Sequence, residues 1–411
     1  MNPLRSLSSV VRFKKIELDA TKRRLSTAAS VADLRLLARR RLPAGVFDYI
    51  DGAAEDERTL DRNVLAFSEI EFSPRVLRDV GDPKISATIF GRELAMPLIL
   101  APTGFSRIAD HEGELAVARA AERAGLPYTL STMATRSIED VAAVTTDAAR
   151  NWFQVYVWRD RGMLEEMLHR AKAAKYEAIM ITVDTAVLGR RERDVRRGFT
   201  LPPKIGPSTL IDGMFHPSWT LDLLRSEPIT FANMRGATGR DGASAVNLSE
   251  YINSQFDPTL SWDDISWFRE RWSGPIILKG IQRADDAVLA ADAGVDAIAL
   301  SNHGGRQLDG APPPIELVAP VAEAIGGRIA IICDGGVRRG SDIAKALALG
   351  ADACMIGRGY LFGLGAAGEA GVDHALALFE SGLRRTMALL GAQNLGELTS
   401  DLVTPSQRGQ R

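Results

Sequence analysis

Ala297-Ile298-Ala299-Leu300-Ser301-Asn302-His303-Gly304-Gly305-Arg306-Gln307-Leu308-Asp309 is an apolar run that breaks abruptly into a polar turn. The run is long enough for one buried strand. The turn places a histidine and an arginine three residues apart among glycines. Imidazole is the side chain suited to take a proton near neutral pH. A guanidinium fork can grip a carboxylate with two parallel hydrogen bonds. Glycines allow close approach of backbone and ligand. A base and an anion clamp beside one another suggest a small acidic molecule as their target.

Working outward, the same theme recurs. An alanine-rich helical segment ends at a glycine and a short apolar run follows: Gly125 before Pro127–Leu130, Gly294 before Ala297–Leu300, Gly326 before Ile329–Ile332, Gly350 before Ala353–Ile356. Leu98–Ala101, Phe153–Val157, Ala178–Val183 and Ile276–Leu278 bring the candidate strands to eight. Strands alternating with helices imply βα units and a parallel sheet. Eight of them predict a closed (β/α)8 TIM barrel. An open doubly wound sheet is the other arrangement, but no Gly-x-Gly-x-x-Gly follows the first strand.

In such a barrel the residues just past each strand converge on one face. Here Pro102-Thr103-Gly104 follows the first strand and Ser131-Thr132 the second; Gln154 and Tyr156 lie on the third, Thr182 and Asp184 on the fourth. Lys279 closes the fifth, Ser301 to Arg306 the sixth, Asp334-Gly335-Gly336-Val337-Arg338 the seventh, and Gly357-Arg358 the eighth. Loops after strands seven and eight commonly make a phosphate site. Gly335, Gly336 and Gly357 suit it by close approach, Arg338 and Arg358 by charge.

The 411 residues carry a net charge of −2 and are 45% hydrophobic. That is ample for a barrel core and gives no reason to expect nucleic acid. Cys333 and Cys354 sit in apolar runs and read as core residues. No apolar run reaches the roughly 18 residues of a membrane span, and no secretory signal core opens the chain, so a cytoplasmic setting is expected. Residues 1–30 read as a basic tail with Lys14-Lys15 and Lys22-Arg23-Arg24; a lipid contact or transit sequence are the alternatives. Residues 31–90 read as a helical segment packed on the barrel, with one helix after a Ser30 cap and a second from Pro43 to Gly52 carrying Tyr49. Residues 91–390 are the barrel and 391–411 a C-terminal tail. His111, His169, His216 and His374 have no second ligand at metal spacing, so no metal is expected.

The chain resembles the FMN-dependent L-2-hydroxy acid dehydrogenase and oxidase family from about Arg39 to Thr399. The resemblance is carried by Phe47-Asp48-Tyr49, Ala101-Pro102-Thr103-Gly104, Leu130-Ser131-Thr132, Phe153-Gln154-Val155-Tyr156, Thr182-Val183-Asp184-Thr185 and Gly189-Arg190-Arg191-Glu192. Lys279-Gly280, Ser301 to Asp309, Asp334 to Gly340 and Gly357-Arg358 complete it. It implies FMN on the barrel mouth, its phosphate on Gly336, Arg338, Gly357 and Arg358. Its ring would be held by Thr103, Gly104, Ser131, Gln154 and Thr182. Lys279 would stabilise the reduced ring, with Ser301 and Asp334 adding polar contacts. Arg191 and Arg306 would grip the substrate carboxylate, helped by Tyr49 and Tyr156. His303 would be the base and Asp184 its partner.

Within the family the pattern points to oxidation of L-lactate to pyruvate, with electrons passed to a quinone or cytochrome. The alternative is an oxidase of glycolate, mandelate or longer acids that forms hydrogen peroxide. The family's oxidases commonly have alanine where this chain has Gly104, a weak signal against oxygen as acceptor. Members are commonly homotetramers. Residues 193–262 form a connection much longer than a usual βα loop. Leu210, Ile211, Met214, Phe215, Trp219, Leu221, Leu223, Leu224, Ile229 and Phe231 alternate there with Arg196, Arg197, Lys204, Arg225 and Arg235. That pattern suits a membrane interface or a lid packed on a neighbouring subunit. Membrane-associated relatives carry a similar insertion with a motif like His216-Pro217-Ser218-Trp219, which favours peripheral attachment to the inner face of the cell membrane.

Overall fold

The short apolar runs become strands because both of their faces are covered. The computed structural model describes residues 17–198, 207–234 (backbone alone for 207–210) and 255–405. Eight parallel strands close into a barrel: β1 Leu98–Leu100, β2 Tyr128–Ser131, β3 Asn151–Tyr156, β4 Ala178–Thr182, β5 Ile276–Ile281, β6 Ala297–Leu300, β7 Ala330–Asp334 and β8 Ala353–Ile356. Each pairs with its sequence neighbours, and β8 closes onto β1 through Met355 opposite Ile99. The TIM barrel expected from the sequence is the fold observed.

Alternate residues divide the core into two layers. Ile99, Trp152, Met180, Ile277, Ala299, Ile332 and Met355 fill the interior in one cluster. A hairpin of Ala87–Ile89 and Arg92–Leu94 joins that cluster, its Phe90 ring 5.6 Å from Trp152. Leu98, Leu100, Ile179, Ile181, Leu278 and Ile298 belong to the outer layer shared with the helices. Cys333 and Cys354 face one another in the β7–β8 register, both fully buried and both free thiols.

Three helices that bear on the mouth come from the N-terminal part of the chain. α1 spans Val31–Arg41, started by Ser30, whose side chain accepts from the Asp33 amide. α2 spans Ala44–Asp51 and stops at Gly52. α3 spans Arg58–Ser68. It is stitched to the loop after β6 by paired amides: Asn63 donates to Asn302 at 2.8 Å and Asn302 donates back at 2.7 Å.

Three regions read as a connection or as tails carry regular structure. The 193–262 connection is largely helical where described: α4 Glu192–Arg197, α5 Pro207–Phe215, α6 Pro217–Arg225 and a short turn Ala232–Met234. Pro217 restarts the chain because proline is pre-set for a first helical turn. Lys204, Arg235 and the Leu210 side chain lie outside the described residues, as do Lys14 and Lys15. The segment set apart as a C-terminal tail is in part a strand, Val403–Pro405, paired antiparallel with Ile70–Phe72. Likewise Ala20–Leu25 of the basic tail is helical, capped by Asp19.

Gly336, in the loop after β7, shows how tightly α3 is seated. Its φ is +84°, and a Cβ there would lie 1.9 Å from the Asn63 carbonyl oxygen and 3.1 Å from the Phe67 ring. Gly336→Ala should lose about 1–3 kcal/mol from backbone strain alone, with the clash added. Thermal melting should show a lower Tm, and an unchanged Tm would mean that α3 does not press on this loop.

Candidate active site

The site begins with a dyad. Asp184 follows β4 and His303 follows β6, and the His303 Nδ1 lies 3.0 Å from the Asp184 Oδ1. A bond from Nδ1–H to the carboxylate leaves Nε2 as the proton acceptor. Burial lowers the imidazole's affinity for a proton; Asp184 opposes this, while Lys279 and Arg191 add to it, and the net pKa falls below the ordinary 6.5. Burial pushes Asp184 the other way, but His303 and Lys279 outweigh it and keep the carboxyl below its usual range. The imidazole is therefore neutral, and able to accept a proton, at neutral pH.

His303 and Arg306 border a cavity of about 500 Å³ at the barrel mouth. Tyr49, Tyr156 and Arg191 line the same cavity. Tyr156 lies nearly parallel to the His303 ring at 6.5 Å. Burial raises its phenol pKa, so it stays a hydrogen-bond donor. Arg306 and Arg191 approach the Tyr49 ring at 5.0 and 5.9 Å. Arg306 is held from behind, donating to the Tyr49 carbonyl at 2.7 Å and the Gly52 carbonyl at 2.9 Å. Enclosure and the neighbouring Arg191 lower its pKa to about 10. Arg191 is held more loosely, 3.9 Å from Asp194 and with its buried Nε unpartnered.

The opposite end of the cavity is bounded by Asp334, Gly335, Gly336, Arg338, Gly357 and Arg358. Arg358 donates to the carbonyls of Ile50, Gly304 and Gly52. Its pKa is driven well down by burial and by the charges of Arg306 and Arg338. Burial likewise lowers Arg338. Around Gly357 there is room: a Cβ would meet only Thr103 at 3.6 Å and Ala101 at 3.8 Å. Gly336, by contrast, is required by its contact with Asn63 rather than by open space.

Pro102, Thr103, Gly104 and Lys279 line the cavity between these ends. Lys279 is aimed by a bulge in β5, where Gly280 has φ +111° and presses against Asp184. Its Nζ donates to Ser301 at 3.1 Å and lies 3.3 Å from Asp334, to which Ser301 also donates at 2.7 Å. Ser131, Gln154 and Thr182 form a buried relay behind the wall: Ser131 donates to Gln154 at 3.1 Å, and Gln154 to Thr182 at 2.9 Å.

All the residues singled out in the sequence thus gather at one mouth, on its surface or directly behind it. Others were missed. Asp194 lies one helical turn beyond Arg191, and only that spacing hints at it. The Tyr360 hydroxyl meets Thr103 at 2.6 Å and donates to the Ala101 carbonyl at 2.8 Å, a long-range contact with no local signal. Phe105 and Phe256 join Phe231 in the apolar wall. Among the described residues no group of His, Cys, Asp or Glu could hold a metal ion.

Comparison with known proteins places this geometry in context. Residues 38–405 match the model of the FMN-dependent dehydrogenase family. A Mycobacterium tuberculosis protein provisionally named L-lactate dehydrogenase is 45% identical over 405 residues, covering 98% of this chain and 96% of its own. The L-lactate dehydrogenase of Chromohalobacter salexigens is 42% identical, covering 91% of this chain and 95% of its own. Among solved structures, the monotopic membrane protein (S)-mandelate dehydrogenase superposes with a TM-score of 0.88 at 38% identity, covering 92% of this chain and 100% of its own.

The dyad yields a direct expectation. The His303 imidazole should titrate below 6.5. Asp184→Asn should move it lower still, because the charge that favours the imidazolium is gone. Histidine-labelled NMR across pH 4–8 reads both; a rise on substitution would show that Asp184 does not face the ring.

Proposed function

The chain belongs to the FMN-dependent dehydrogenase family, and from that premise we propose that it oxidises L-lactate to pyruvate and delivers the electrons to a quinone or cytochrome. Family membership makes it an FMN-dependent enzyme acting on 2-hydroxy acids. The observation that carries the reading further is one cavity holding a neutral, carboxylate-backed imidazole beside two guanidiniums.

The residues fit FMN. Arg306, Arg338 and Arg358 line one cavity, and burial above all lowers the proton affinity of each, so an anion bound among them would be favoured. Arg338, Gly357 and Arg358 would hold the phosphate. Thr103, Gly104 and Lys279 would face the ring, with Ser131, Gln154, Thr182, Ser301 and Asp334 supporting it. When bound, FMN would supply the oxidant, taking up two electrons and one of the two hydrogens that the hydroxy acid loses from C2 and its hydroxyl, the other leaving as the proton taken by His303. Lys279, the buried cation of the wall, would answer the negative charge that arrives.

The chain's own groups do the rest. Arg191 and Arg306 grip the carboxylate, and the Tyr49 and Tyr156 hydroxyls donate to it or to the C2 hydroxyl. His303 Nε2 takes a proton from the substrate, and Asp184 stabilises the imidazolium that results. The cavity's apolar wall of Phe105, Ile108, Met133, Phe231 and Phe256 favours a second reading, a larger acid such as mandelate.

Anaerobic bleaching with L-lactate, glycolate and (S)-mandelate tests both readings. Lactate should give the highest kcat/KM, and a clear preference for mandelate would favour the second. His303→Asn should retain FMN yet lose about 10²–10⁴-fold in flavin reduction. Undiminished reduction would remove the base assignment.

Attachment to a membrane surface is supported by the α5–α6 hairpin. Ile211, Met214, Phe215, Leu221 and Leu224 are exposed, Met214 and Phe215 each by nearly four-fifths. No helix among the described residues is long and apolar enough to cross a bilayer. The hairpin lies on the surface instead, pinned through Asp212 to the Ala44 amide and through Trp219 to the Ile108 carbonyl. Replacing Met214, Phe215 and Leu224 by Gln should abolish sedimentation with anionic vesicles while dye-coupled turnover persists; undiminished sedimentation would dismiss the surface.

A further inference from the structure

We infer that Gln307 is a positioning residue, one amide that fastens the loop carrying Asp184 and Arg191 to the loop carrying His303 and Arg306. The inference rests on the roles proposed for those four residues. Gln307 lies immediately after Arg306 and its side chain makes three bonds across to the other loop. Its Oε1 accepts from the Gly189 amide at 2.9 Å. Its Nε2 donates to the carbonyls of Asp184 and Val187, each at 3.1 Å. One amide therefore ties the segment 184–189 at three points, its donors on Asp184 and Val187 and its acceptor on Gly189.

That segment needs such a fastening. Ala186, Val187 and Leu188 are exposed, and Val187 retains 73% of its surface, so burial contributes little to holding them. The loops nevertheless approach closely: a Cβ on Gly189 would lie 2.3 Å from the Arg306 carbonyl oxygen and 2.6 Å from the Gln307 Cα. A third segment clasps the same two loops, with the Ala54 amide donating to the Gly305 carbonyl and the Glu55 amide to the Arg190 carbonyl. Gln307 is the side-chain member of this clasp, and it joins the loop at the residues flanking the base's partner and the carboxylate's grip.

Freeing the segment should affect two readouts in different ways. At the Asp184 end, the carboxylate would no longer be fixed 3.0 Å from His303. The groups bearing on that ring are Asp184 from β4, Lys279 from β5, Arg191 from the start of α4, and Tyr156 from β3. Only Asp184 favours the imidazolium, so loosening it moves the acidic limb of the rate profile to lower pH and weakens the base. At the Gly189 end, Arg191 would no longer be held opposite Arg306, and KM for the acid rises.

The experiment compares wild-type holoenzyme with Gln307→Met, which keeps the chain length and loses all three bonds. Anaerobic flavin reduction by L-lactate is followed from pH 5 to 9, with FMN content and Tm as checks on the fold. The expected result is full FMN occupancy, kcat/KM lower on the order of 10²-fold, a raised KM, and an acidic limb displaced downward. If Gln307→Met loses FMN, the same readouts are taken on Gln307→Asn, whose amide is one methylene too short to span the gap. In either holoenzyme, a wild-type KM and an unmoved limb overturn the inference, as does a fall in kcat alone with the limb unmoved. Failure of the wild type to reduce its flavin with any 2-hydroxy acid would instead overturn the parent reading.

Discussion

The mouth of this barrel depends on the carbonyl end of a helix only eight residues long. At the C-terminus of α2, the main-chain oxygens of Tyr49, Ile50 and Gly52 accept four hydrogen bonds from Arg306 and Arg358. The last carbonyls of a helix have no partner within it and carry partial negative charge. They offer guanidiniums what an enclosed cation needs without adding a carboxylate that would repel an incoming acid. The Asp51 side chain adds full charge on the other side, accepting from Arg35 at 2.5 and 2.7 Å and from Arg193 at 3.0 Å. Several cations can thus share one small region while keeping their forward faces free.

The same arrangement explains why the N-terminal helices belong to the site rather than to its surroundings. Arg193 lies on α4, two residues after Arg191, and pairs with Asp51 and Glu57. Arg197, one turn later, meets Asp48 at 2.8 Å. One side of α4 is thereby tied to α2, while Arg191 and Asp194 line the cavity. The ion pairs are partly exposed and individually modest in strength. Their effect is geometric, because each restricts how far Arg191 can drift. The His303–Asp184 dyad needs none of this; it is set by β4, β6 and the β5 bulge.

The barrel was legible because each strand is a short apolar run followed by polar residues, and four of the runs come just after a glycine that ends a helix. Boundaries read from residue type alone came within about two residues at most strand ends. His303, Arg306 and Lys279 were legible for a related reason, since a charged residue directly after a buried strand has few places to go but the mouth. What escaped was whatever acts through the backbone or at a distance. Nothing in the residue type of Asp51 or Gln307 announces that it clamps a segment more than a hundred residues away. Gly336 was read as a glycine that lets a phosphate approach closely, whereas what demands glycine there is α3, whose Asn63 carbonyl occupies the space a side chain would take. The connection after β4 was legible as long and apolar, yet its periodicity, interrupted at His216-Pro217, concealed two helices.

Those two helices bear on the chemistry as well as on the surface. Trp219 donates to the Ile108 carbonyl at 2.7 Å, and Arg107 binds the carbonyls of Glu227 and Pro228. Phe231, just beyond, packs 5.5 Å from Phe105, and both rings line the cavity. Ile108 and Ala109, from the loop that anchors Trp219, line it too. One side of the hairpin region is therefore continuous with the apolar wall of the site, while Met214, Phe215 and Leu224 face solvent. A segment anchored at this many points cannot be released without moving the wall against which a substrate side chain would rest. The exposed face and the cavity wall consequently belong to one anchored segment, and substitutions confined to the outer residues leave the wall in place where removal of the whole segment would not.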